Sequence, residues 1–298
     1  MAESSPTGAQ FEISFGDQRA WVVEVGGGLR RYTSGGREVL DGYAEDELCR
    51  SGRGQCLLPW PNRVRDGQYE FAGARQQLAL SEPGKQNAIH GLVRWVNWTC
   101  TTHQPDRVVM SYVLHPQPGY PHLLALSVVY HLDERGLTVE ITAENVGAAA
   151  CPFGAGAHPY LSSVSPTVDD TVLHAPGRVR LLADERGIPT GREQVAGTEF
   201  DFRVPRPIGA LELDTAFADL ERGADGLARV RFGGTTLWLD EHFTHLMLFS
   251  GDPLPDVARR ALAVEPMTCA PNAFKTGEGL LTLAPEESFV ARWGIEPA

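Results

Sequence analysis

The chain is 298 residues long, 42% hydrophobic and 21% charged, with a formal net charge of −12. That length is within reach of one large all-β or α/β unit, and no apolar run approaches the roughly 20 residues that a membrane span requires. The acidic balance opposes the long-range attraction that nucleic acid or an anionic membrane surface needs, so the expected partner is a small molecule rather than nucleic acid or a membrane.

The opening Met1-Ala2-Glu3-Ser4-Ser5-Pro6-Thr7-Gly8 has neither a basic start nor an apolar centre, so it does not read as a secretory signal. Residues 1–10 are expected to be a disordered lead-in, and residues 11–298 one domain. The five cysteines, Cys49, Cys56, Cys100, Cys151 and Cys269, are odd in number, scattered and free of any C-x-x-C pair. Neither a disulfide framework nor a zinc knuckle is indicated, and a reducing cytoplasm fits best.

Short alternating segments follow one another along the chain. Strands are predicted at 20–25, 68–80, 108–114, 124–132, 138–144, 179–182, 227–239, 246–249 and 289–295. The clearest is 138–144, where Val139, Ile141 and Ala143 alternate with Thr138, Glu140, Thr142 and Glu144, a period of two. It forms a hairpin with 124–132 through Asp133-Glu134-Arg135-Gly136. Gly26-Gly27-Gly28 lacks the spacing of a dinucleotide-binding loop and reads as a turn. No window of 12 or more residues shows a helical stripe, and 32 glycines with 21 prolines punctuate the runs too often for long helices. The fold class is therefore all-β, an antiparallel β-sandwich in one domain. Residues 45–65, 82–96 and 183–212 become loops on a rigid scaffold, where function often resides.

Glu265 ends the apolar run Leu262-Ala263-Val264, and Pro266 and Pro271 follow it. A carboxylate at such a strand end is costly to bury unless it meets protons, cations or hydroxyls. His90, in Asn87-Ala88-Ile89-His90-Gly91, and His158, in Gly154-Ala155-Gly156-Ala157-His158-Pro159-Tyr160, are similarly constrained. One carboxylate with imidazoles is a minimum kit for moving protons near neutral pH, while a core histidine satisfied by a backbone carbonyl is the plainer alternative for each ring. Trp95 and Trp98 near His90 would suit a sugar-stacking wall. Arg63 lies on the proline-stiffened Leu58-Pro59-Trp60-Pro61-Asn62-Arg63, free to aim at ligand oxygens or to pair with an acidic residue. Arg63, Arg65 and Arg94 could form a local basic patch. Asp214, between apolar neighbours, suits a ligand-binding carboxylate or an Asx turn equally. No metalloprotease, calcium-loop, phosphate-loop or serine-hydrolase motif is present.

Pro61-Asn62-Arg63, His90-Gly91, His158-Pro159-Tyr160, Leu213-Asp214 and Glu265 with its Ala270-Pro271-Asn272 tail, in this order, resemble the aldose 1-epimerase (galactose mutarotase-like) family. The resemblance spans about residues 20–293 and implies a large β-sandwich. It makes Glu265 the general base and His158 the general acid, with Arg63, His90 and Asp214 on sugar oxygens and Asn62, Arg94 and Trp95 beside them. It implies no cofactor and no metal, because ring opening and reclosure need only a base and an acid. After His90-Gly91 the chain reads Leu92-Val93-Arg94-Trp95 instead of a second glycine, similar to a branch that includes epimerases of anionic sugars such as sulfoquinovose. A neutral hexopyranose is the preferred substrate. An anionic sugar such as a hexose 6-phosphate, a non-catalytic carbohydrate-binding protein, and a metal-assisted hydrolase built on His90, His158 and Glu265 are the alternatives.

Overall fold

The alternation at 138–144 is the middle of the strand Gly136–Asn145, whose residues Leu137, Val139, Ile141 and Ala143 are sealed from solvent. Leu124–Asp133 runs antiparallel beside it, with Leu124 opposite Asn145 and Asp133 opposite Gly136. The computed structural model describes residues 5–255 and 257–298. In it these two strands are central to a nine-stranded sheet ordered Thr99–Gln104, Arg107–Leu114, Leu124–Asp133, Gly136–Asn145, Ser288–Glu296, Thr235–Leu239, Ala228–Phe232, Val172–His174 and Arg206–Pro207. An eight-stranded sheet is ordered Pro189–Gln194, Gly177–Ala183, Asp214–Leu220, His245–Phe249, Ala261–Met267, Gly156–Ala157 and Cys56–Leu57, with Tyr160–Ser162 also pairing to Ala261–Met267. A four-stranded sheet covers Gln10–Phe15 to Arg37–Glu38.

Inward residues of both large sheets, such as Val139, Ile141 and Leu237 from one and Leu248, Leu262 and Val264 from the other, fall in one contiguous core. This is the all-β sandwich expected of strands that each have one apolar face. Among the described residues, helix is limited to Ala273–Thr276 and the 3-10 turn Pro83–Lys85.

Two predicted strands are each a hairpin. The run 227–239 splits into Ala228–Phe232 and Thr235–Leu239, because Gly233 and Gly234 take φ of 58° and 94° and close a two-residue turn between Phe232 and Thr235. The run 68–80 splits at Ala72-Gly73 into Gln68–Phe71 and Ala74–Gln77. Conversely, the stretches expected to be loops contain Cys56–Leu57, Arg63–Arg65, Asn87–Ile89, Pro189–Gln194 and Arg206–Pro207. Most of these strands are too short to display an alternation.

Of the expected lead-in, residues 1–4 lie outside the described residues, and residues 5–10 are tied down rather than disordered. Ser5 Oγ donates to Glu45 O at 2.6 Å, Val25 N donates to Thr7 O at 3.0 Å, and Gln10 begins the first strand.

Candidate active site

Period-two alternation along Ala261–Met267 turns Leu262 and Val264 into the shared core and Ala263, Glu265 and Met267 to the opposite face. On that face Glu265 stands opposite Met247, which stands opposite Ala216. Met247, Ala216, Leu181, Met267 and Ala270 form a small apolar floor. Glu265 is only 2% exposed, and its Oε2 has no hydrogen-bond partner.

Strand register brings His158 to it. Gly156 pairs with Met267 and Tyr160 with Ala263, so the residue midway, His158, falls opposite Glu265. Pro159 has no N–H for the ladder, and its carbonyl accepts from Val264 N at 3.0 Å. His158 Nε2 lies 3.4 Å from Glu265 Oε1. The strand Cys56–Leu57 and the segment before it hold the other side: His158 N donates to Gln55 O at 3.1 Å and Gly54 N to His158 O at 2.9 Å.

A two-stranded ribbon places the next pair. Arg63–Arg65 runs antiparallel to Asn87–Ile89 with Arg63 opposite Ile89, which sets Asn62 beside His90. His90 N donates to Asn62 O at 2.9 Å, and Asn62 N donates to His90 Nδ1 at 3.2 Å. That acceptor role leaves the proton of a neutral His90 ring on Nε2. The His90 and His158 rings meet edge to face, 5.3 Å between centroids. The turn after Glu265's strand clamps the same ribbon: Asn272 N donates to Arg63 O at 2.6 Å, and Arg65 N donates to Asn272 Oδ1 at 3.0 Å.

Arg63 takes one of the two roles the sequence left open, pairing with an acidic residue. Its Nε and Nη2 donate to Glu82 at 2.9 and 3.0 Å, while the guanidinium stays close enough to Asp214 and Glu265 to attract both. Asp214, at the exposed start of Asp214–Leu220, faces the same space and repels the Glu265 carboxylate. Arg94 donates to His90 O, Gln55 Oε1 and Ile89 O at 3.1, 3.2 and 3.3 Å. Its guanidinium lies 5.8 Å from the Trp95 ring centroid, and Trp95 is 52% exposed.

Burial pushes the Glu265 carboxyl well above its ordinary range; Asp214 adds to the rise and Arg63 opposes it. Burial likewise pushes His158 down to about 3, helped by the cations of Arg94 and Arg53. His90 is held well below the usual range by burial, then by His158, Arg94 and Arg63. The low-dielectric interior therefore favours the uncharged forms of all three. Ligand atoms of His90, His158 and Glu265 lie within 4.8 Å of one another, close enough to hold a metal ion. The adjacent Arg63 and Arg94 cations work against a dication there.

Two expectations are corrected. Trp98 is no part of a sugar-stacking wall: it is 2% exposed in the main core and donates from Nε1 to Val93 O at 3.2 Å. The basic patch is largely neutralised, since Glu82 pairs with Arg63 and Asp184 with Arg65 at 3.2 Å. Sequence reasoning missed Glu82, Gln55, Gly52, Arg53 and the apolar floor. Tyr160 carried a signal, because it lies two residues from His158 and alternation puts both rings on one face.

The aldose 1-epimerase family model matches residues 10–296. The Escherichia coli (strain K12) protein YihR is 33% identical over 278 residues, covering 93% of this chain and 89% of that one. Aldose 1-epimerase of the same organism is 29% identical over 188 residues, covering 58% of this chain and 52% of the relative. The crystal structure of the GalM/aldose epimerase homologue from C. elegans superposes with a TM-score of 0.87 at 20% identity, over 97% of this chain and 98% of that one, a likeness of fold. The chain belongs to the aldose 1-epimerase family.

Proposed function

We propose that the protein is an aldose 1-epimerase that interconverts the α and β anomers of a free hexopyranose, with Glu265 as general base and His158 as general acid. The observation that carries this reading is the sealed pair itself, Nε2 3.4 Å from Oε1, with one carboxyl oxygen unpartnered. The anomeric hydroxyl and the ring oxygen are bonded to the same carbon, so neighbouring side chains on adjacent strands suit the two proton transfers.

Ring opening moves the O1 proton to Glu265 and the His158 Nε2 proton to the ring oxygen, breaking the C1–O5 bond. The free aldehyde turns about C1–C2 and closes on its other face, with both transfers reversed. The dyad carries one proton throughout. Its charged form, carboxylate and imidazolium, starts the opening. Its neutral form, carboxylic acid and imidazole, is the one that accompanies the open aldehyde. Burial favours the neutral form, so the site is electrostatically matched to the high-energy intermediate more than to the closed sugar. Arg63, His90, Asp214 and Asn62 bind sugar oxygens, and the Met247, Ala216 and Leu181 floor supports an apolar ring face.

A neutral hexose such as galactose or glucose is the preferred substrate, supported by the commitment of Arg94 to three protein acceptors. A second reading, an anionic sugar, is favoured by one observation: among the described residues no carboxylate pairs with Arg94, whose guanidinium lies close enough to depress His158. NMR exchange spectroscopy on glucose, galactose, glucose 6-phosphate and a 6-sulfonated glucose tests both. Exchange catalysed with all sugars at comparable efficiency supports the neutral reading. A preference of at least tenfold for an anionic sugar, abolished by Arg94→Ala, selects the second. Binding without exchange would replace both by a carbohydrate-binding protein.

A further inference from the structure

His158 lacks the device that usually orients a proton-transferring histidine. Such a ring is normally fixed by a hydrogen bond from its second nitrogen to a carbonyl or carboxylate, which also selects the tautomer. Here Nδ1 is buried with no proper partner, its only contact being a poorly placed one with its own backbone. Nothing at Nδ1 stops the ring from tilting out of the plane that points Nε2 at Glu265.

What does hold the ring is an aromatic face. The Tyr160 ring lies nearly parallel to it, 12° between planes and 5.1 Å between centroids. Tyr160 is itself pinned, because its hydroxyl donates to Ser51 O at 3.0 Å and the Arg53 guanidinium carbon sits 4.2 Å from its ring centroid. Arg53 is fixed in turn by Asp41 at 3.0 Å, a carboxylate that also takes Arg260 at 2.8 Å. Gly52 closes the assembly: a Cβ there would come within 2.8 Å of His158 Cδ2. Arg53 and Tyr160 are 5% and 1% exposed, so two desolvated groups have been spent behind one imidazole.

We propose that Tyr160, backed by Arg53, is the positioning residue for His158, holding by stacking the plane of an imidazole that has no hydrogen bond at Nδ1, while the contact of Nε2 with Glu265 selects the edge that faces the carboxylate. The inference rests on the reading above, in which His158 moves a proton. The cation of Arg53 has a second effect. A positive charge behind an aromatic ring disfavours a second positive charge on the imidazole in front of it. The other groups facing that imidazole are Glu265, His90 and Arg94.

The test compares Tyr160→Phe, Tyr160→Leu and Arg53→Met in the full chain, reading kcat and KM by anomer exchange together with the ¹⁵N signals of labelled histidine. Tyr160→Phe keeps the stack and should retain kcat within about threefold. Tyr160→Leu should lower kcat by about 10- to 100-fold with KM within about threefold, as expected of a reacting group that is misplaced rather than lost. Its His158 ¹⁵N signals should broaden or change tautomer. Arg53→Met, which leaves the stack and the Asp41–Arg260 pair in place, should raise the pH at which His158 titrates. Wild-type kcat in a folded Tyr160→Leu variant, or equal losses in the Phe and Leu variants, would overturn the proposal. Should the Leu variant not fold, Tyr160→Phe decides instead: a kcat loss of about tenfold or more with the aromatic ring still in place would overturn the proposal. If the wild type itself turns over no sugar, the function fails, while unchanged ¹⁵N signals in Tyr160→Leu still decide the positioning role separately.

Discussion

His158 and Glu265 stand opposite each other on adjacent antiparallel segments, 107 positions apart in the chain, with Nε2 3.4 Å from Oε1. The pair is closed off from solvent at 5% and 2% exposure, and each residue keeps one polar atom without a partner. Such atoms are costly to bury, which makes the dyad a place where stability has been given up and its removal informative.

Glu265→Gln should lower kcat by about 10²- to 10⁴-fold, the range for a positioned general base. It should not lower the melting temperature near neutral pH. Burial raises the Glu265 carboxyl above its unfolded value, so the folded state binds the extra proton and loses stability as pH rises towards the folded pKa. Glutamine, neutral at every pH, escapes that loss. Polarimetry and a thermal melt on one sample check both, and near-normal rates in a folded variant would remove Glu265 from the reaction.

His158→Asn should abolish the dependence of rate on His158 protonation and lower kcat at least as far as an acid-catalyst loss of about 10²-fold. It should also change acid stability. With the folded ring held at about 3 and the unfolded ring near 6.5, the unfolded chain binds more protons in between, and stability falls as pH drops through that window. Denaturant titrations from neutral to acid pH should show a shallower fall in the variant. His90 has the same sign and remains, so the slope decreases without vanishing.

Glu82→Ala leaves the Arg63 guanidinium without the two hydrogen bonds at 2.9 and 3.0 Å that aim it. A cost of about 1–3 kcal/mol is expected for a partly buried charged group left unsatisfied. KM should rise more than kcat falls, because the proposed reaction gives Arg63 sugar oxygens to bind rather than a proton to move. Equal KM values for variant and wild type would place Arg63 outside the binding site.

Gly52→Ala separates strain from steric displacement. Gly52 has φ of 75°, and a Cβ there would press on His158 Cδ2 at 2.8 Å; Gly73, with φ of 77°, has nothing within 4 Å of its would-be Cβ. Both substitutions should cost about 1–2 kcal/mol in backbone strain. Only Gly52→Ala should reduce kcat, by about tenfold or more. Similar activity in the two variants would show that the 51–55 segment does not hold the imidazole.

The all-β class and the strand at Gly136–Asn145 were legible in the sequence, because alternation is a local property with a period of two residues; Glu265, expected at a strand end, lies inside Ala261–Met267, which continues through Pro266. The ordered set Arg63, His90, His158, Asp214 and Glu265 was legible too, through its resemblance to a family. The hairpin at Gly233-Gly234 was legible in principle, since paired glycines between alternating runs are a turn signal, but 227–239 reads as one run when the alternation on either side is taken together. What only the tertiary structure decided was pairing. The register that sets His158 against Glu265, the choice of Glu82 from among 38 acidic residues to hold Arg63, and the burial of Trp98 beside a half-exposed Trp95 all depend on segments distant in the chain. The displaced pKa values belong to the same class. A carboxyl and an imidazole have ordinary values in isolation, and they shift only when folding wraps them in a low-dielectric enclosure whose walls come from stretches far apart in the sequence.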